Sequence, residues 1–136
     1  MQRKTSTLSA AVIALFTLLV IAPLSFAETN AIATMARILT ELNHYPSAEQ
    51  KTALTAISKD ESNSEATRAI ADAIHNVEHK AKADDVATLK IVSETESTTE
   101  EEKQLAEIVI NLNHSVSAET RKALEALAKS KFNARR

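Results

Sequence analysis

The sequence predicts an all-α fold: three helical hairpins of 35 residues each, six helices in all, stacked as a short solenoid or closed into a bundle. Three observations carry this. Ala36–Lys59 lies on Ala106–Lys129 without a gap at a shift of 70, with 12 of 24 positions identical, which marks an internal repeat. A weaker copy sits halfway between, where Ala36, His44, Ala48 and Leu54 fall on Ala71, His79, Ala83 and Leu89. The chain has no glycine, and its only proline beyond residue 27 is Pro46. Its richness in Ala, Glu and Lys then biases it to helix.

Residues 1–27 stand apart. Arg3 and Lys4 make a basic start, Leu8 to Ala22 is apolar except for Ser9 and Thr17, Pro23 breaks the run, and Ser25-Phe26-Ala27 offers small residues before a cleavage point. That is the layout of a secretory signal peptide. A mature chain 28–136, periplasmic or secreted, is expected, with no membrane insertion after cleavage. It forms a single domain of units 29–63, 64–98 and 99–133. It keeps 14 basic and 18 acidic residues, a mildly acidic balance without the basic footprint of a nucleic-acid binder. Cysteine is absent, so helix packing alone must hold the fold, although an oxidising compartment would permit disulfides.

Each unit reads as two helices. The first begins at Thr29, Ser64 or Thr99, whose hydroxyls can accept from unpaired first-turn amides; Thr99 with Glu102 also forms a capping box. The inward stripes are Ile32, Met35, Leu39 and Leu42; Thr67, Ile70, Ile74 and Val77; and Glu102, Leu105, Val109 and Leu112. Their three-and-four spacing is helical. The first helices should stop near Asn43, Glu78 and Asn113, since Asn tolerates the left-handed conformation that ends a helix. His44, His79 and His114 follow. Pro46 then forbids continuation in unit one.

The second helices start after Ser47 and Ser117; Lys82 replaces the serine in unit two and loses that cap. Leu54, Leu89 and Leu124 are their equivalent buried positions, joined by Ile57, Val86, Val92 and Leu127. Short polar links, 60–63 and 95–98, separate the units. The 35-residue period invites comparison with tetratricopeptide repeats, but the Trp, Leu-Gly and Tyr positions of that pattern are missing.

His75-Asn76-Val77-Glu78-His79 has the H-x-x-E-H form of inverted zinc peptidases. A catalytic zinc needs a third protein ligand as well, and the chain ends 57 residues later, so no enzyme is expected. On a continuous helix His75 and His79 would share a face and could hold Zn, Cu or Ni without catalysis. The repeated His44, His79 and His114 would stand about 10 Å apart in a solenoid, too far to share an ion; a closed threefold bundle could bring them together. The expectation is that each histidine caps its hairpin turn by bonding to the backbone. The turn positions Asn43, His44, Glu78, His79, Asn113 and His114 are the repeated candidates of the chain.

Other chemistry is thin. Cysteine nucleophiles and glycine-rich phosphate loops are absent. The run 94–102 lacks calcium-loop spacing. Asn113-His114-Ser115 is a glycosylation sequon in a suitable host. Tyr45 and Phe132 are the only aromatic residues after position 27, which disfavours ligands that need stacking surfaces. The expected function is therefore non-enzymatic binding of a protein or peptide partner in the cell envelope, with no cofactor. The alternatives are metal binding or buffering through His75 and His79, and a structural or stress-related envelope role without a specific ligand.

Overall fold

The computed structural model describes residues 24–130, with side chains from Asn30 to Lys129. The expected leader therefore lies mostly outside the described residues. Six helices make up the described residues: α1 (Leu24–Glu41), α2 (Ala48–Lys59), α3 (Glu65–His75), α4 (Ala83–Glu94), α5 (Glu100–Ile110) and α6 (Ala118–Ser130). The only extended pairings among them are isolated bridges.

The helix starts follow the expected caps. Ser47 and Thr99 each close a full capping box, with Gln50 and Glu102 respectively, and Ser64 accepts from the Thr67 amide. Lys82 caps nothing with its side chain. The exception is α1, which runs unbroken from Leu24 through Thr29. No Pro or Gly interrupts 24–29, so the full-length chain has no reason to start a helix at Thr29.

The helix ends fall two or three residues before the expected stops at Asn43, Glu78 and Asn113. α3 stops at His75 with Asn76 as C-cap, and α5 stops at Ile110 with Asn111 as C-cap. The left-handed residue is not the Asn or Glu of each turn but the histidine after it: φ is 72° at His44, 67° at His79 and 64° at His114.

α1, α3 and α5 pack on one another around an approximate threefold axis. α2 packs on α3, α4 on α5, and α6 on α1. The last contact joins the first and last of the described helices, so these six helices form a closed ring rather than an open stack. Each outer helix thus docks mainly on the next unit's inner helix.

All twelve inward positions are buried. They form layers down the axis: Ile32, Thr67 and Glu102; Met35, Ile70 and Leu105; Leu39, Ile74 and Val109; Leu42, Val77 and Leu112. Leu54, Leu89 and Leu124 of the outer helices are fully buried against them. Burying a leucine side chain contributes about 2–3 kcal/mol. Val92 and Leu127 are buried beside these leucines on α4 and α6.

The first layer holds a carboxylate. Glu102 is 1% exposed. Its Oε1 accepts from the Ser64 hydroxyl and, at 2.8 Å, from the Thr67 hydroxyl. Its Oε2 accepts from the Thr99 amide at 2.8 Å and the Thr99 hydroxyl at 3.0 Å. Burial alone would push this carboxyl up; the hydrogen bonds from Ser64, Thr99 and Thr67 outweigh it and hold it below the ordinary glutamate value.

Candidate functional site

The opposite end of the axis gathers the three repeated histidines. Each sits two residues past the innermost leucine or valine of its unit, so the layering that buries Leu42, Val77 and Leu112 brings the three turns together. The backbones form a closed circuit. His44 N–H donates to the His114 carbonyl at 3.0 Å, His79 N–H to His44 at 2.7 Å, and His114 N–H to His79 at 2.5 Å. In units one and three a second bond, from Tyr45 N–H to Asn43 (2.9 Å) and from Ser115 N–H to Asn113 (2.8 Å), tightens the turn around the histidine.

This circuit requires positive φ at its three corners. For a residue with a Cβ that conformation costs about 1 kcal/mol or more. Glycine would adopt it freely, yet the chain places histidine there three times. The turn geometry explains the backbone; it does not explain why the side chain is imidazole in every unit.

The side chains converge as the backbones do. Ring centroids lie 5.0 Å apart for His44 and His79, 5.2 Å for His79 and His114, and 5.6 Å for His44 and His114. Three imidazoles on one tetrahedral ion, with Zn–N bonds of about 2.0–2.1 Å, place their centroids about 5.2 Å apart. The separation therefore fits a shared ion. The ring orientations do not do so: the planes meet at 87° and 88° where His44 packs edge-to-face on His79 and His114, and at a tilted 60° between His79 and His114. As they stand, no group of three ligating residues among those described could hold a metal ion. His44 is half-buried and the other two are exposed. Rotamer changes at exposed positions such as His79 and His114 take picoseconds to nanoseconds.

One ring is already oriented by a neighbour. His114 Nδ1 lies 2.7 Å from Asn113 Oδ1. The amide oxygen accepts, so this contact suits the tautomer with its proton on Nδ1, which in a neutral ring leaves the lone pair on Nε2, as in a metal-binding histidine. Asn43 and Glu78 hold the equivalent positions before His44 and His79. Glu78 meets Lys82 at 3.8 Å.

His75 is not part of this cluster. α3 ends at His75 and His79 lies beyond the turn at positive φ, so the two do not share a helix face as the sequence reading supposed. His75 Nδ1 lies 3.4 Å from Asn76 Oδ1. The circuit bonds are made by the N–H and carbonyl groups of the histidines rather than by their side chains; the rings meet as the alternative of a closed threefold bundle allowed.

A second feature breaks the repeat. In unit one Gln50 Nε2 donates to Glu41 Oε2 at 3.3 Å, and in unit two Asn76 Nδ2 donates to Asp85 Oδ2 at 3.2 Å. Both bonds cross the groove between the two helices of their unit. In unit three the equivalent residues turn inward on their own helices: Asn111 bonds the Glu107 carbonyl and Thr120 meets Ser117. The α5–α6 groove stays open there, as a cavity of about 370 Å³ between Glu107, Ile108, Leu112, Val116 and Thr120.

No helix among the described residues is long and apolar enough to cross a membrane. No protein-family model matches the chain, and no characterised protein or solved structure resembles it at a significant level.

Proposed function

We propose that this is an exported, non-enzymatic protein that binds a first-row divalent ion, Zn²⁺, Cu²⁺ or Ni²⁺, in the cell envelope through His44, His79 and His114. The observation that carries the reading is the convergence of three imidazoles at 5.0–5.6 Å on an axis where the backbone would prefer glycine. An all-nitrogen donor set suits these metals. This moves the metal from the pair His75/His79 to a trio that shares only His79 with it.

The test is a zinc titration of the mature protein by calorimetry. One saturable equivalent is expected, lost in His44→Ala, His79→Ala and His114→Ala and kept in His75→Ala. Loss with His75→Ala but not with His44→Ala would restore the pair and defeat the trio.

A partner-binding role, the first reading of the sequence, keeps the support of the open α5–α6 groove. Its test is substitution across the groove. Thr120→Gln, which restores the reach that Gln50 has in unit one, should close the groove and abolish capture of any partner found with the wild-type protein.

A further inference from the structure

We infer that the α1 surface takes a second copy of this chain as its partner: two copies exchange their α6 helices, each α6 docking on the other copy's α1, with 111–117 as the hinge. The exchange involves no ion and is independent of the metal reading above.

α6 is held differently from the other outer helices. α2 docks on α3 and α4 on α5, and each is followed in the chain by the helix it docks on, through 60–63 and 95–98. Neither can leave its groove without dragging that helix along. α6 docks on α1, the first of the described helices, and packs little on α5 of its own unit.

α6 is also the outer helix least bound to its own hairpin. A side-chain hydrogen bond crosses the groove in units one and two, between Glu41 and Gln50 and between Asn76 and Asp85. The equivalent pair in unit three is Asn111 and Thr120. Asn111 bonds the Glu107 carbonyl and Thr120 meets Ser117 instead. The cavity of about 370 Å³ lies between α5 and α6 at this point.

Exchange conserves what α6 buries. Leu124 is fully buried and Leu127 nearly so, and both find the same surroundings on the second copy, in a twofold and self-complementary arrangement. The balance therefore falls on the hinge. Opening it loses the bonds from His44 N–H to the His114 carbonyl and from His114 N–H to the His79 carbonyl, and it uncovers Val116. It also releases His114 from a φ of 64°, which is unfavourable for a residue with a Cβ. A short hinge under strain favours exchange. Residues 111–117, fully extended, reach about 23 Å, about two helix diameters. That carries α6 clear of its own body. The exchanged dimer is a second state of the molecule, favoured by high concentration. It lacks the axial cluster, because the extended hinge takes His114 away from His44 and His79.

The test mixes isotope-labelled and unlabelled mature protein at millimolar concentration. The mixture is held just below its melting temperature, cooled and read by native mass spectrometry. The expected product is a mixed dimer that survives dilution to micromolar concentration, because its copies part only when both α6–α1 interfaces open. In that dimer the amides of His44 and His114 should exchange hydrogen faster than in the monomer, while the His79 amide, bonded to the His44 carbonyl, stays protected. Thr120→Gln restores side-chain reach across the groove of unit three. It should slow the appearance of mixed dimers about two- to tenfold, the effect of one hydrogen bond. Monomer alone overturns the inference. Dimers that part at once on dilution overturn it too, as do dimers in which all three histidine amides keep their protection. Mixed dimers that form as fast in Thr120→Gln also overturn it.

Discussion

Replacing each axial histidine by glycine and, separately, by alanine separates the backbone's requirement from the side chain's. The perturbation acts at φ values of 72°, 67° and 64°. Alanine keeps the Cβ that makes this region unfavourable, at about 1–2 kcal/mol per residue. Glycine removes that term but orders a freer chain, at about 0.5–1 kcal/mol. The backbone circuit uses N–H and carbonyl groups that both variants retain, so it cancels. His44→Gly should therefore be more stable than His44→Ala by about 0.5–1 kcal/mol, and the same order should hold at His79 and His114. With a urea dependence of about 1 kcal/mol per molar, the denaturation midpoint followed by circular dichroism would move by about 0.5–1 M. Both substitutions should abolish metal binding equally. Three alanine variants at least as stable as their glycine partners would show that the turns do not hold positive φ, and the axial circuit would fall with them.

Further outcomes follow from other parts of the molecule. Leu54→Ala, Leu89→Ala and Leu124→Ala each empty a fully buried position and should cost about 2–4 kcal/mol in urea denaturation; unmoved midpoints would break the repeat register. Glu102 has a carboxyl pKa held below its unfolded value, so its contribution is present above the ordinary glutamate pKa of about 4.3 and is lost as pH falls through the lower folded value. Melting temperature should drop on acidification in that window, and Glu102→Gln should flatten that part of the profile; an unchanged acid limb would remove Glu102 as its source. Zinc should raise the melting temperature of the mature protein by mass action and a chelator should reverse it, with the shift shrinking as protons displace the metal below about pH 6. Intact mass of the exported protein should begin at Glu28; a mass that includes 1–27 refutes the cleavage expectation.

The layers of the core were legible because each depends on one helix and on a period of 35. Ile32, Thr67 and Glu102 share a position in the sequence and share a layer in the fold. Ring closure was not legible. It depends on how far each unit rotates relative to the last, a sum of many small packing choices that no single residue announces. The axial cluster stayed one of two alternatives for the same reason, since His44 and His114 are 70 positions apart and meet only when α1 reaches α6. The turn was misread by one residue because Asn is the commoner left-handed helix terminator. Here the register of the circuit selects the next residue, and histidine tolerates the conformation better than most side chains. The anchoring of Glu102 left a faint trace: a glutamate and a threonine at two of three otherwise apolar stripe positions.

The docking of each outer helix on the neighbouring unit means that the 35-residue segment seen in the sequence is not what folds on its own. Each segment exposes one half of two different interfaces and completes neither. The chain behaves as a trimer whose subunits are tied by the links 60–63 and 95–98. Those tethers replace bimolecular encounter with an effective concentration in the millimolar range for short linkers. Cleavage of one link should yield fragments that stay associated. The seam between α1 and α6 is the one interface that carries no tether, and so it is where the ring would be expected to open first.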